Sequence, residues 1–156
     1  MINKIEIIPY QSKLMKYFRD LNLEWIEKYF EVEEYDKKVL ESCEENIISK
    51  GGFIFFAKSN NNILGTFALI KKSQNCLELN KMAVKKIYRG KGIGNIMIQY
   101  AINFAKKNDW KKIILYSNTI LKNSIYLYRK YGFNECMIEK NKPYLRSNIK
   151  MVLFIK

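Results

Sequence analysis

The sequence predicts one mixed α/β (α+β) domain whose elements run β-α-α-β-β-β-α-β-α-β-β. Three observations carry this. The chain has 156 residues, the size of one domain able to bury a real core. Apolar residues recur at strand period in some stretches and at helical period in others, with turn signals between them. A glycine-rich turn, RGKGIG at residues 89–94, stands between a strand and a helix.

Taken in order, residues 4–8 read as a short strand. Two helical stretches follow, residues 12–30 with a break and residues 35–49, the second stopped by Gly51 and Gly52. Residues 53–58 and 63–71 flank Asn60, Asn61 and Asn62, whose tolerance of positive φ predicts a hairpin. A further strand covers residues 76–84. After RGKGIG, apolar residues at Ile93, Met97, Tyr100 or Ala101, and Phe104 or Ala105 keep a helical period, while Ile98 and Ile102 predict cover on a second side. Residues 113–116 form a short buried strand. Residues 121–131 form a helix with Arg129 and Lys130 in its last turn and Gly132 as its left-handed cap. Residues 133–139 and 149–155 are the final strands.

Composition narrows the function classes. With 48% hydrophobic and 28% charged residues, the chain is of the globular type. No apolar run approaches the roughly 20 residues needed to cross a bilayer, so no membrane role is expected. The start, MINKIEIIPY, turns polar too soon for a signal peptide, which makes the expected location cytoplasmic. Cys43, Cys76 and Cys136 are scattered and odd in number, against a disulfide framework or a metal knuckle. There is no histidine, so Ser-His-Asp and Cys-His catalysis and histidine-containing zinc sites are removed, and no metal is expected. Acid–base chemistry near neutral pH must rest on Glu, Asp, Tyr, Cys, Lys or ordered water.

The net charge of +13 is uneven. Ten of the 15 acidic residues lie between Asp20 and Glu45, and only Glu78, Asp109, Glu135 and Glu139 follow among many lysines. A basic body suits a phosphorylated ligand or a nucleic acid, and equally an ordinary solvated lysine surface. A nucleic-acid partner is not expected, because no helix-turn-helix, zinc site or aromatic RNA-binding strand is present.

Three local patterns bear on chemistry. Arg89, Gly90, Lys91, Gly92, Ile93, Gly94 and Asn95 lead into a helix, where free amides and the helix dipole favour phosphate. The spacing fails the Walker A pattern, and Asn95 stands where a dinucleotide fold needs glycine. Alone, the turn fits a phosphate cradle and a purely structural bend equally. Glu78 is the single acid between Glu45 and Asp109, mid-strand in LELNKMAV. An acid there is solvated, paired or used. In pure alternation it shares a face with Asn80, Met82 and Val84, unless a bulge intervenes. The third pattern, NSIYLYRKYGF at residues 123–133, holds Asn123 and Tyr128, which alone read as a helix-start residue and a packing aromatic.

Together these residues resemble the GNAT superfamily of N-acetyltransferases. Arg89, Gly92 and Gly94 match its loop signature, and Asn123, Ser124, Leu127, Tyr128, Gly132 and Phe133 match its later motif. The resemblance covers residues 78–133 and implies a single, mixed, mostly antiparallel central sheet flanked by helices. It implies acetyl-CoA as co-substrate and transfer to a primary amine. Met82, Ala83 and Val84 would line the pantetheine arm, the amides of residues 89–95 would hold the pyrophosphate, and Asn123 would bond the pantetheine. Tyr128 would act as general acid, and Glu78 as general base directly or through water. An oxyanion would need a backbone donor from the splayed strand.

The acid-rich first helices would form the acceptor wall, so that Glu31, Glu33 and Glu34 favour a cationic amine, or are an ordinary charged surface. Tyr144 and Arg146, in YLRSNIKM, would touch an acceptor carboxylate or carbonyl, or pack at a strand entry. A catalytically silent acyl-CoA sensor is the competing reading, and a homodimer stays open.

Overall fold

The computed structural model describes residues 3–156. Seven strands form one sheet in the order β1-β2-β3-β4-β5-β7-β6: β1 (Glu6–Pro9), β2 (Phe53–Ser59), β3 (Asn62–Ser73), β4 (Cys76–Val84), β5 (Lys112–Ser117), β6 (Asn134–Cys136) and β7 (Ile149–Phe154). Every pairing is antiparallel except β4 with β5. Four helices cover it: α1 (Met15–Tyr29), α2 (Glu34–Glu41), α3 (Ile93–Lys107) and α4 (Lys122–Lys130).

Alternation along the strands supplies two cores. Phe55 and Ala57 on β2, with Phe67 and Leu69 on β3, point to α3, which offers Met97, Ile98, Ala101 and Ala105. Ile54, Phe56, Ala68 and Ile70 point the other way, to Phe18, Leu21 and Ile26 of α1 and Val39 and Leu40 of α2. Both faces are thus apolar, which is why β2 and β3 are almost continuously buried.

Several elements depart from the expected bounds for local reasons. The 12–30 stretch opens with a 3-10 turn at Ser12–Leu14 before α1. The 35–49 stretch breaks after Glu41, and a π-helical turn occupies Glu44–Ile48. There the Asn46 amide donates to the carbonyls of Lys38 (3.2 Å) and Ser42 (2.9 Å), taking acceptors that an unbroken helix would use. The hairpin turn needs only Asn60 and Asn61, because Ser59 pairs with Asn62 and Asn60 takes a φ of 54°. β6 stops at Cys136, and residues 137–148 cross back without regular structure.

The decisive feature lies at the centre. β4 and β5 pair in parallel only over Cys76–Glu78 and Lys112–Ile114. Beyond that, β4 stays with β3 and β5 stays with β7, so the two strands splay. Opposite Thr66 to Ala68, β4 carries a bulge in which Lys81 and Met82 both stand against Phe67, and Lys81 takes a φ of 53°.

Candidate active site

The gap between the splayed strands is a cavity of about 300 Å³ that runs through the sheet, with walls from both helical layers. Leu79 to Val84 line it in sequence. Their edge facing β5 has no strand partner, so the backbone groups there that no side chain takes are free to bond a ligand lying in the gap; the Lys81 amide already donates to Asn80 Oδ1 and the Val84 carbonyl accepts from Arg89.

On the α3–α4 side, Gly90 (φ 76°) and Gly92 (φ 82°) take left-handed conformations. Gly92 is the N-cap of α3, and no side chain caps that end. The first helical hydrogen bond comes from the Ile96 amide to the Gly92 carbonyl, leaving the amides of Ile93, Gly94 and Asn95 available. Gly94 has another reason to be glycine: a Cβ there would lie 3.3 Å from the Leu127 side chain, where α3 meets α4. The Asn95 side chain accepts from Tyr131 Oη and Lys130 Nζ, both at 3.1 Å, tying the same two helices. Arg89 folds back instead of reaching over the turn. Its Nε donates to the Val84 carbonyl at 2.9 Å, its Nη2 lies 3.4 Å from Glu24, and its buried Nη1 has no partner.

Asn123 and Tyr128 both line the cavity. Asn123 sits in the first turn of α4 and is exposed. Tyr128 is fixed by the end of its helix: Gly132 takes a φ of 97°, and the Phe133 amide bonds back to the Tyr128 carbonyl at 3.1 Å. The Phe133 ring meets the Tyr128 ring edge-on at 6.0 Å. Burial raises the Tyr128 phenol to about 12, so it holds its proton at neutral pH.

The α1–α2 side is built of side chains. Glu78 is 1% exposed and does not line the cavity. Its carboxylate accepts from Asn80 Nδ2 at 2.6 Å, and Asn80, which does line it, also donates to Tyr144 Oη at 2.9 Å. Burial lifts the Glu78 carboxyl above its usual range, with Lys72 at 3.7 Å and Lys81 opposing. The bulge separates the expected face: Glu78 and Asn80 lie toward α1 and α2, whereas Met82 and Val84 pack on the α3 core.

An ion cluster that no sequence motif marks stands beside them. Asp36, wholly buried, receives Lys81 Nζ at 2.5 Å and both terminal nitrogens of Arg146 at 2.6 and 2.9 Å. Glu33 accepts from the Leu145 and Arg146 amides and pairs with the Arg146 guanidinium at 3.3 Å. Burial would raise the Asp36 carboxyl, but the bonds from Arg146 and Lys81 outweigh it and hold it below its ordinary value. The Tyr144 ring carries Lys81 Nζ at 4.5 Å and the Arg146 guanidinium at 4.4 Å, and stacks on Tyr35. Lys81, Tyr144 and Arg146 line the cavity, with Trp25 and Phe30 of α1 and Tyr116 of β5 completing the wall.

The acidic wall expected from the first helices does not face the cavity. Glu33 holds Arg146, Glu34 pairs with Lys37, and neither they nor Glu31 line the cavity. Among the described residues, no group of three or more His, Cys, Asp or Glu is gathered as for a metal ion. Among the described residues, no helix is long and apolar enough to cross a membrane.

Comparison with known proteins matches this architecture. A family model described as the acetyltransferase (GNAT) family covers residues 17–133. Streptothricin acetyltransferase A of Bacillus subtilis is 28% identical over 105 residues, covering 67% of this chain and 58% of that protein. A probable N-acetyltransferase 14 of Xenopus tropicalis is 32% identical over 57 residues, covering 36% of this chain and 28% of that protein. The chain thus spans less than two thirds of the length of these relatives. Among solved structures, a GNAT-family acetyltransferase from Staphylococcus aureus Mu50 superposes with a TM-score of 0.86 at 26% identity, over 98% of this chain and 100% of that one. Spermidine N-acetyltransferase from Vibrio cholerae, in complex with CoA and spermine, shares the fold with a TM-score of 0.78 at 16% identity, over 97% and 95% of the two chains.

Proposed function

The chain belongs to the acetyltransferase (GNAT) family, and on that premise we propose that it transfers an acetyl group from acetyl-CoA directly to a primary amine, in a cytoplasmic setting. The observation that carries this reading is the gap between β4 and β5, open to an uncapped helix N-terminus on one side and to a polar, aromatic chamber on the other.

The amides of residues 90–95, with Lys91 beside them, hold the pyrophosphate, while that of Arg89 is bonded to the Lys86 carbonyl. The pantetheine lies along the free edge of Met82, Ala83 and Val84 and meets Asn123, which brings the thioester into the gap. The acceptor enters from the α1–α2 side. As the amine nitrogen attacks, a backbone amide on the free edge of β4 stabilises the oxyanion. Glu78 takes a proton from that nitrogen through water, because Asn80 stands between its carboxylate and the cavity. Tyr128, kept protonated by burial, meets the departing thiolate.

The spermidine and streptothricin of the two named relatives are acceptors to try, not to assume, since carboxylates do not line this chamber. The test is thiol release from acetyl-CoA over a panel of spermidine, streptothricin, L-lysine, glycine and 2-phenylethylamine, with thermal stabilisation by acetyl-CoA alone as its companion. Stabilisation with turnover of at least one amine is expected. The absence of any shift at saturating acetyl-CoA would sink the reading, and a shift without turnover would favour a sensor.

A further inference from the structure

We propose that Lys81 is a second base of this site: its neutral amine takes the first proton from the incoming ammonium, before attack. This rests on the acetyltransferase reading and supplies a step that Glu78 leaves open. An alkyl ammonium must lose two protons to become an amide. One must go before the nitrogen can attack, and one leaves as the C–N bond forms and the C–S bond breaks. Lys81 receives the first, water-linked Glu78 the second, and the thiolate gains one from Tyr128. The sum is R–NH3+ plus acetyl-CoA giving R–NH–CO–CH3, CoA–SH and one proton released to solvent.

Geometry places Lys81 where the acceptor arrives. The β4 bulge, with Lys81 at positive φ, turns its side chain toward the α1–α2 side, where Nζ lies 4.5 Å from the ring of Tyr144, and Lys81 and Tyr144 both line the cavity. The side chain is 1% exposed, so bulk water neither solvates its charge nor competes for its proton. Glu78, by contrast, is screened from the cavity by Asn80.

The charged surroundings let this lysine become neutral. One buried carboxylate, Asp36, is shared between two cations. Arg146 holds it through two hydrogen bonds and does not release its own proton. When Lys81 loses its proton, Asp36 therefore remains paired. The groups facing Lys81 are Asp36, Tyr35 and the N-cap Glu33 from the α2 side, Tyr144 and Arg146 from the 137–148 crossing, and Glu78 on its own strand, itself opposed by Lys72. Of these, Glu33 is already engaged by Arg146, and both tyrosines hold their protons because burial raises them. Burial, opposed by Asp36, brings Lys81 down to about 8, within reach of a physiological proton acceptor.

The experiment has two arms. In the first, kcat is followed against pH with acetyl-CoA and the fastest amine of the panel, for wild type, Lys81→Met and Lys81→Arg. Wild-type kcat/KM, taken from the same series, should rise through an inflection near 8. Both variants should lose about 100-fold or more at pH 7.5, while keeping their stabilisation by acetyl-CoA. Arginine restores the charge and the Asp36 pair, so rescue by Lys81→Arg would overturn the inference in favour of a structural role. In the second arm, the Lys81 15Nζ resonance is titrated without any acceptor, assigned through Lys81→Arg. A midpoint near 8 that moves lower in Asp36→Asn is expected, because the variant removes the partner that favours the charged form. A midpoint above 10 overturns the inference. No turnover by wild type with any amine counts instead against the acetyltransferase reading, and the resonance still decides the state of Lys81.

Discussion

On the side covered by α3 and α4, the cavity offers backbone groups, the uncapped amides after Gly92 and the unpaired edge of β4, beside Asn123, Leu127 and a tyrosine held by a helix cap. On the side covered by α1 and α2, the wall is side chain. Trp25 and Phe30, Lys81, Tyr116, Tyr144 and Arg146 come from four separate segments, and Lys81 and Arg146 are locked from behind by ion pairs with Asp36. On the proposed acetyltransferase reading, a backbone wall would recognise what every acyl-CoA has in common. A side-chain wall can change with single substitutions, so acceptor choice would be free to vary while the donor stays the same.

This contrast can be broken or sharpened experimentally. The largest effect is expected for Tyr128→Phe, which should cut kcat by about 1000-fold while leaving thermal stabilisation by acetyl-CoA intact. A loss below tenfold would remove Tyr128 from the acid role. Next comes Arg146→Met, which strips Asp36 of two bonds and Glu33 of its partner. Breaking one member of a buried ion network costs about 3 kcal/mol, and Tm should fall by roughly 2–4 °C per kcal/mol in a chain of this size. The acceptor KM should rise with little change in acetyl-CoA affinity, and an equal loss of both would mean that the two walls are not separable.

Gly92→Ala tests the opposite wall. Space around Gly92 is open, so the cost is backbone strain at φ 82°, about 1–2 kcal/mol. Weaker stabilisation by acetyl-CoA with an unchanged acceptor KM is expected from calorimetry and kinetics. The smallest effect concerns acid. Asp36 titrates below its unfolded value, so the folded state binds fewer protons there than the unfolded chain. Its contribution is present above the unfolded value near 3.9 and fades as pH falls through the lower folded one. Urea unfolding of wild type at pH 5, 4 and 3 should lose stability more steeply than that of Asp36→Asn.

How much was legible follows the same division. The strand at residues 76–84, the helix after RGKGIG and the cap at Gly132 were readable because each depends on residues close in sequence. Asn123 and Tyr128 were readable for the same reason, and both line the cavity. The break after Glu41 was not, since it turns on which carbonyls the Asn46 amide happens to take. In the sequence Lys81 is one more lysine in a lysine-rich chain. Its one sequence trace is its place inside the strand LELNKMAV, where a charge needs a partner, and that partner lies 45 residues away.

The sequence by itself determined the order of elements, the glycine turn at Arg89 to Gly94 that opens α3, and the Gly132 cap that ends the helix carrying Tyr128, because periodicity, caps and glycine conformations are local properties. Only the tertiary structure decided that β4 and β5 part after Glu78, that a bulge sends Lys81 and Met82 to different sides, and that Glu33 and Asp36 are consumed by Arg146 and Lys81. Those are contacts between distant segments. A carboxylate's charge says nothing of its use until the cation that meets it is in place.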